Sequence, residues 1–188
     1  NAAGQAKLNI NLGVGEYIIT AINPVTKEES SNIIKVNTRF ANHGNVTKLY
    51  RNDTQYYITL LGDDGKAVGA GQNVTFNING VMYERKISSE GLAKLNLNLE
   101  QGTYVLTAMN PETGENAANN ITIIPTIIEN RDITKYYRNG TQYTVKVLGD
   151  DGKAVGAGES VTFNINGVFY TRQTNESGIA KLNLNLPP

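Results

Sequence analysis

The chain has 188 residues, enough for one large or two small domains with buried cores, and its formal net charge is zero. Hydrophobic residues make up 39% of the chain and charged residues 18%. Because the net charge is zero, the chain has no basic excess, which argues against binding nucleic acid or anionic lipid. The absence of cysteine excludes disulfides and thiolate metal sites, and no apolar run approaches the ~20 residues that span a bilayer.

The first predicted strand is GQAKLNINL at 4–12, in which apolar and polar residues alternate with the period of a strand. It recurs as GLAKLNLNL at 91–99 and as GIAKLNLNL at 178–186. The alternation places one apolar set on the inner face of the last copy: Ala180, Leu182, Leu184 and Leu186.

A second strand follows the first copy and carries Tyr17, whose counterpart is Tyr104 in GTYVLTA at 102–108. Tyr104 lies just inside a late strand, where a tyrosine corner would place a phenol that bonds back to the chain. We predict the same bond for both tyrosines.

The central part of the sequence repeats with a period of 87 residues and without a gap. Between 50–101 and 137–188, 35 of 52 positions are identical, and VTFNINGV stands unchanged at 74–81 and 161–168. The exception is 33–46 against 120–133, where almost nothing matches. Such a divergent window is typical of a junction between modules.

Each copy of VTFNINGV contains a hairpin signal. Asn166-Gly167 favours a type I′ turn, because both residues must adopt positive φ. This turn would pair Phe163 with Tyr170 and Ile165 with Val168, and we expect all four on the core face. Gly80 and the asparagine before it should behave alike.

No segment shows helical spacing, and about seven short strands separated by turns fit into each period. The sequence therefore predicts an all-β fold of tandem antiparallel β-sandwiches. With 188 residues equal to two periods plus 14, the predicted division is the C-terminal part of one repeat at 1–37, a complete repeat at 38–124, and the N-terminal part of a third at 125–188.

The succession GDDGKAVGAGESVTFNINGVFYTRQTNESGIAKLNLNL resembles the immunoglobulin-like repeats of prokaryotic surface proteins. With QGTYVLTAMNPETGE one repeat earlier, it is most similar to the tandem repeats in the large adhesin-like proteins of methanogenic archaea, and the similarity spans the chain except the divergent windows. YRNGTQY and FNINGVFY are its most specific phrases. The resemblance implies an immunoglobulin-like fold and a cell-surface stalk, and it carries over no catalytic residue.

Candidate chemistry is sparse. His43 is the only histidine and stands in the divergent window, so we interpret it as a solvated loop residue rather than a catalytic or metal-binding one. Recurring paired carboxylates could offer oxygens to calcium, but Asp-Gly is also what a tight turn prefers. These weak metal candidates are Asp63, Asp64, Asp150 and Asp151. We predict no cofactor.

Two further classes of candidate are covalent cross-links and tyrosine contacts. A Lys–Asn isopeptide or a Thr–Gln ester needs a neighbouring acid, and the recurring carboxylates follow turns instead of lying on apolar strand faces. Aromatic residues cluster around the repeated Y-R-N-x-T-Q-Y, where interface contact and core packing are both open interpretations, the core being favoured. They are Tyr50, Tyr56, Tyr136, Tyr137 and Tyr143.

Six N-x-S/T sequons fit a secreted, glycosylated surface, although about half of them could arise by chance in so asparagine-rich a chain. They stand at Asn45, Asn52, Asn73, Asn120, Asn139 and Asn175.

The first functional hypothesis is an extracellular stalk segment of a cell-surface adhesin, whose modules stack into a stiff rod. The alternative is a filament subunit polymerised head-to-tail by strand complementation between incomplete end modules. A ligand-binding module would have to use the window 38–46, and an enzyme is the least favoured. The expected partners are neighbouring copies of the repeat, within one chain or in a homopolymer, with an unnamed surface ligand and neither nucleic acid nor membrane.

Overall fold

The computed structural model describes residues 1–185 and contains strands, turns and loops without a helix in that range. The predicted position of Leu186 lies outside the described residues. The all-β architecture of antiparallel sheets predicted from the sequence is confirmed. No helix in residues 1–185 is long and apolar enough to cross a membrane.

The first two strands form an isolated antiparallel hairpin. Strand β1 spans Gly15–Ile22 and β2 spans Glu29–Val36, and they pair along their whole length. Within residues 1–185 this hairpin joins no third strand. We call it the N-terminal hairpin.

The predicted strand at 4–12 is wrong: these residues have no strand pairing. Its copies at 92–96 and 179–183 are the strands β8 and β15, which pair with Gln55–Leu60 and Gln142–Val147, each an earlier strand of the same repeat. Within residues 1–185 no strand pairs with residues 4–12, and a strand needs a partner for its backbone N–H and C=O groups.

The middle of the chain is a two-layer sandwich. One layer has five strands in the order β4-β10-β9-β6-β7, and the other has three in the order β3-β5-β8. All neighbours are antiparallel except β4 and β10, which run parallel. The strand bounds are β3 Phe40–Ala41, β4 Val46–Leu49, β5 Gln55–Leu60, β6 Asn73–Ile78, β7 Val81–Lys86, β8 Leu92–Asn96, β9 Gly102–Met109 and β10 Asn116–Ile124.

The larger of two cores fills this sandwich and runs from Phe40 to Ile123 in sequence. Alternate residues of β6 point inward, and Val74 and Phe76 are fully buried. Phe76 meets the ring of Tyr56 from the opposite layer edge-on, with 5.8 Å between centroids. This is the packing that period-two alternation predicts for a strand with one buried face.

The C-terminal part has fewer strands around a smaller core. A three-stranded sheet has the order β11-β12-β15, and β13 and β14 form a separate hairpin. Their bounds are β11 Ile127–Ile128, β12 Gln142–Val147, β13 Ser160–Ile165, β14 Val168–Gln173 and β15 Ile179–Asn183. The smaller core contains Val145, Phe163, Ala180 and Leu182.

The predicted turns and tyrosine bonds are present. Asn166 and Gly167 have φ of 50° and 90°, and the hairpin pairs Phe163 with Tyr170 as expected. The hydroxyl of Tyr104 donates to the carbonyl of Glu100 at 2.9 Å. That of Tyr17 donates to Gly13 at 3.1 Å.

One part of the hairpin prediction is wrong. Val168 pairs with Ile165 but is 53% exposed, as its counterpart Val81 is 50% exposed. Strand β7 lies at the edge of the five-stranded layer, and the opposite layer has only three strands. The opposite layer is therefore too narrow to cover the edge strand.

The connection between the central sandwich and the C-terminal part is short. Strand β10 ends at Ile124, Pro125 follows, and β11 begins at Ile127. Proline lacks a backbone donor, which stops the ladder at this point. A Cβ added to Gly152, in the Asp-Asp-Gly turn of the C-terminal part, would lie 3.4 Å from the Leu49 side chain of the sandwich.

Replacing Gly167 with valine should lower the free energy of unfolding by more than about 1 kcal/mol, because a β-branched residue resists positive φ. No atom lies within 4 Å of the added Cβ, so the cost is conformational rather than steric. Gly156→Val is the matched control: the site is equally open and its φ lies outside the left-handed region. Equal urea midpoints for both variants would contradict the hairpin assignment.

Candidate interaction surfaces

The paired carboxylates cap their own turns. Asp64 Oδ1 accepts the backbone N–H of Lys66 at 3.0 Å, and Asp151 accepts that of Lys153 at the same distance. Asp63 forms an ion pair with Arg39. Residues 1–185 hold no cluster of three or more His, Cys, Asp or Glu side chains that could bind a metal. The bonds within the turn account for the recurrence of Asp64 and Asp151.

His43 is exposed and belongs to a small hydrogen-bonded group. Its Nδ1 lies 2.8 Å from Oδ1 of Asn119, which also accepts the hydroxyl of Tyr56 at 2.7 Å. An amide oxygen only accepts, so His43 donates from Nδ1. The histidine thereby ties the divergent window to β10, and sequence reasoning missed this bond because the two residues are 76 positions apart.

Burial changes the acid–base properties of Tyr56. The side chain is fully buried, and loss of solvent raises its pKa to about 12. Deprotonation would place a phenolate in the core, which is unfavourable without compensating donors. Tyr56 therefore stabilises the fold fully below pH 10, the pKa of an unfolded tyrosine, and loses that contribution as the pH rises towards 12.

Lys48 is a second buried titratable group. Its ammonium donates to the carbonyl oxygens of Asn52 and Leu97, the latter at 3.0 Å. Burial lowers its pKa and the charge of Asp53 acts in the opposite sense. The folded state thus releases the proton before the unfolded chain does, so the cost of burying the charge is relieved as the pH rises. Lys135 makes the equivalent bonds to Asn139 and Leu184.

The tyrosine cluster divides into core and surface members. Tyr56 is core, whereas Tyr136 and Tyr137 are 86% and 56% exposed. The guanidinium of Arg138 lies 5.1 Å from the centroid of the Tyr137 ring, a cation–π arrangement that Arg51 and Tyr50 repeat. Tyr56 is therefore a core residue, whereas Tyr136 and Tyr137 form an exposed aromatic surface.

The six sequons differ in accessibility. Asn45, Asn120 and Asn175 are exposed, and Asn52, Asn73 and Asn139 are half-buried. The amide nitrogen of Asn73, the atom that would carry a glycan, is bonded to Glu84. Glycosylation of the six sequons stays a prediction, and the bond to Glu84 disfavours it at Asn73.

Two apolar surfaces are concave and uncovered. One is a groove of about 570 Å³ in the C-terminal part, between β13 and the β12–β15 layer, and its floor includes Val145, Phe163 and Leu182. The other is a concavity of about 550 Å³ between the N-terminal hairpin and residues 8–12, where Tyr17, Ile19 and Ile34 are half-buried. Apolar surface left in this way is typical of interaction sites.

No protein-family model and no curated protein matches the chain. Among solved structures, domains 4–9 of the surface layer protein SbsC align at a TM-score of 0.34 and 11% identity, over 92% of this chain and 31% of that one. A 1.5-MDa bacterial ice-binding adhesin aligns at 0.26 and 12%, over 90% and 62%. SGBP-B of the Bacteroides ovatus mixed-linkage glucan utilization locus, in complex with a mixed-linkage heptasaccharide, aligns at 0.31 and 13%, over 91% and 44%.

These neighbours are surface-layer, adhesin and glycan-binding proteins of bacteria, and the chain spans less than two thirds of each. Likenesses at such TM-scores identify neither a family nor a function. The resemblance to archaeal adhesin-like repeats stays a prediction.

The Tyr56→Phe variant tests the buried phenol. Between pH 10 and 12 the free energy of unfolding of the parent should fall relative to that of the variant by roughly 2–3 kcal/mol. Each tenfold difference in proton affinity between the folded and unfolded states corresponds to about 1.4 kcal/mol, and the two pKa values differ by about two units. Tyr57→Phe, on the exposed face of the same strand, is the control. Urea melts at several pH values measure both, and parallel profiles for parent and Tyr56→Phe would contradict the assignment.

Proposed function

We propose that this chain is a structural segment of a cell-surface protein, in which immunoglobulin-like modules stack end to end as a stalk. The observation that carries the proposal is the direct connection between β10 and β11, where two residues separate the last strand of one unit from the first of the next. A connection this short leaves few rotatable bonds between adjacent units. The complete repeat at 38–124 is the proposed unit of the rod.

The side contact across this connection supports the same proposal. A Cβ placed on Gly152 would lie 3.4 Å from the Leu49 side chain, so the Asp-Asp-Gly turn comes close to the preceding unit. The backbone N–H of Tyr50 also donates to the carbonyl of Ile124 at 2.9 Å, which holds the exit strand beside β4. A backbone hydrogen bond at Ile124 and the close approach of Leu49 to Gly152 therefore flank the short connection.

A location outside the cell is part of this proposal. It is supported by the exposed sequons and by the resemblance of the repeats to those of prokaryotic surface proteins. The window 38–46, the alternative ligand-binding region, contributes to the sandwich through bonds of Thr38 and Arg39 to Glu115. A structural use of this window favours the stalk over a dedicated binding module.

A filament subunit is the second candidate function. It is favoured by one observation, the simultaneous presence of an uncovered groove in the C-terminal part and an uncovered apolar hairpin at the N-terminal side. Complementary open surfaces of this kind form heterologous, head-to-tail contacts.

Small-angle X-ray scattering tests the rod. A compact protein of this length has a radius of gyration of roughly 16 Å, and we expect a clearly larger value with the cross-section profile of a rod. Each unit should add about 35 Å, the length of a ten-residue strand. Inserting Gly-Gly-Ser-Gly-Gly-Ser after Pro125 should broaden the distance distribution. A profile unchanged by the insertion would contradict the stiff connection.

The location is tested on cells that produce the protein. An antibody against residues 38–124 should label intact cells, and external protease should remove the label. As a control, an antibody against a cytoplasmic protein should label only permeabilised cells. Labelling that requires permeabilisation would contradict the surface proposal.

A further inference from the structure

The groove of the C-terminal part has a direct counterpart in the central sandwich. Strand β13 carries β14 on one edge, and no strand of residues 1–185 lies on its other edge. Its counterpart β6 has β7 on one edge and β9 on the other. The groove therefore occupies the position where the β9–β10 pair lies in the complete sandwich.

Burial shows what is missing from the C-terminal part. Val74 and Ile78 in β6 are 0% and 3% exposed, whereas their counterparts Val161 and Ile165 are half-buried. The segment at 133–136 forms no strand, although its counterpart at 46–49 is β4, which pairs in parallel with β10. An element with the shape and residue pattern of β9–β10 would cover Val161 and Ile165. It would also give the segment at 133–136 a strand to pair with.

The N-terminal hairpin has that pattern. Strand β1 is the 87-residue counterpart of β9, and β2 is the counterpart of β10. The inner face of β9 and β10 consists of Leu106, Ala108, Ile121 and Ile123, all buried in the sandwich. The hairpin has an apolar residue at each corresponding position: Ile19, Ala21, Ile34 and Val36.

We propose that the N-terminal hairpin of one molecule inserts into the C-terminal groove of a second copy of this chain, completing a sandwich between the two. The proposal rests on the proposed function in taking the sandwich as the structural unit. The partner is a second copy of this chain, and the two contacting segments are the N-terminal hairpin and the C-terminal groove. This is β-strand addition, in which backbone pairing gives affinity and buried side chains set the register.

The central sandwich fixes the register. There, β6 pairs with β9 so that Phe76 lies opposite Ala108 and Ile78 opposite Leu106. Transferred by the repeat, Phe163 lies opposite Ala21 of the second copy, and Ile165 opposite Ile19. A slip by one residue would turn the apolar set of the hairpin to solvent.

The parallel pairing transfers in the same way. Ile121 pairs with Val46 in the sandwich, which places Ile34 of the incoming hairpin beside Ile133. A polar bond transfers too: Tyr56 donates to Asn119, and the equivalent atoms belong to Tyr143 and Asn32. The hairpin would thus bring a partner for the half-buried phenol along with its apolar face.

Contacts beyond the groove agree with the arrangement. Leu49 packs against Gly152, and the counterparts of these residues are Tyr136 and Gly65. Tyr136 is 86% exposed, and a Cβ at Gly65 would meet no atom within 4 Å. In the assembly the central sandwich of the incoming copy follows its hairpin directly, which brings its Gly65 turn to Tyr136. The exposed tyrosine thereby gains the packing that Leu49 has.

Residues 4–12 would stay outside the completed sandwich. Their counterpart position in the C-terminal part is already occupied by β15, which pairs with β12. Leu8 is 71% exposed, whereas the corresponding Leu95 is 2% exposed. The assembly therefore has no vacant strand position for this segment, and removing it should not weaken association.

Sedimentation velocity of the full chain over a range of concentrations tests the proposal. We expect chains of increasing length, and Ile19→Asp should weaken association on the order of tenfold or more, because the carboxylate would be buried without a partner. Ile18→Asp is the matched control on the outer face of the same strand, where Ile18 is 77% exposed. It should leave association unchanged.

Mixing variants tests direction. Ile165→Asp damages the groove but leaves the hairpin intact, and Ile19→Asp does the reverse. At concentrations where the parent forms chains but association weakened tenfold or more is not detected, each variant alone should be monomeric. An equal mixture should then form heterodimers that grow no further. Formation of the heterodimer also shows that each variant retains one folded functional surface.

Cysteine cross-linking tests register in this cysteine-free chain. Asn77 and Thr107 are directly opposite in the sandwich, so Thr20→Cys mixed with Asn164→Cys should give an oxidised heterodimer. Ser31→Cys is the control: Ser31 Oγ lies 2.8 Å from Thr20 Oγ1 on the neighbouring strand, one strand further from β13. It should not cross-link to Asn164→Cys.

Each other outcome overturns the proposal: a monomer at all concentrations, association insensitive to Ile19→Asp, an equal effect of Ile18→Asp, or cross-linking through Ser31. A monomer that scatters as a rod and labels at the cell surface would leave the proposed stalk intact. A chain that assembles as predicted but is confined to the cytoplasm would reject the stalk and keep the assembly.

Discussion

Pairing between β6 and β9 is the interaction on which the central sandwich depends. It joins the β6–β7 hairpin to the β9–β10 pair, so that one continuous layer faces the three strands of the other. With that pairing in place, Val74 and Phe76 are fully buried. Where the equivalent pairing is absent, Phe163 is the one residue of its strand that is buried, and an apolar groove lies beside it. The difference shows that cores of this type are built from two layers at once and cannot be closed by either alone.

The local features of the fold were predictable because the residues that determine them are close in sequence. Alternation of apolar residues identified β6 and β13, Asn-Gly identified the turn between each of them and its hairpin partner, and the G-T-Y motif identified the bond of Tyr104. The strand expected at 4–12 failed for the opposite reason, because its formation depends on a partner elsewhere. The parallel β4–β10 pairing and the exposure of Val168 likewise depend on which strands lie nearby, information that alternation does not contain.

The polar features also divide into those set by residues close in sequence and those that depend on distant segments. Asp64 and Asp151 bond two residues onward, as turn chemistry predicts, so their recurrence needed no metal to explain it. The shared acceptor Asn119 joins His43 and Tyr56 from distant segments, and only the fold brings them together. One signal was available in the sequence: Asn119 and Asn32 recur at one position of the repeat, and two apolar residues follow each of them on the same strand face.

The parallel alignment of β4 and β10 determines how the central sandwich carries load. Strand β4 lies near the start of the unit, after the two-residue β3, and β10 is the last strand of the unit. Four residue pairs from Val46–Ile121 to Leu49–Ile124 join them. Tension applied through the flanking segments pulls β4 and β10 in opposite directions along their own axes. The hydrogen bonds between them are then strained together in shear instead of opening one after another, as they would if the strands were peeled apart. We therefore expect resistance to pulling to depend more on this short ladder than on the size of the core.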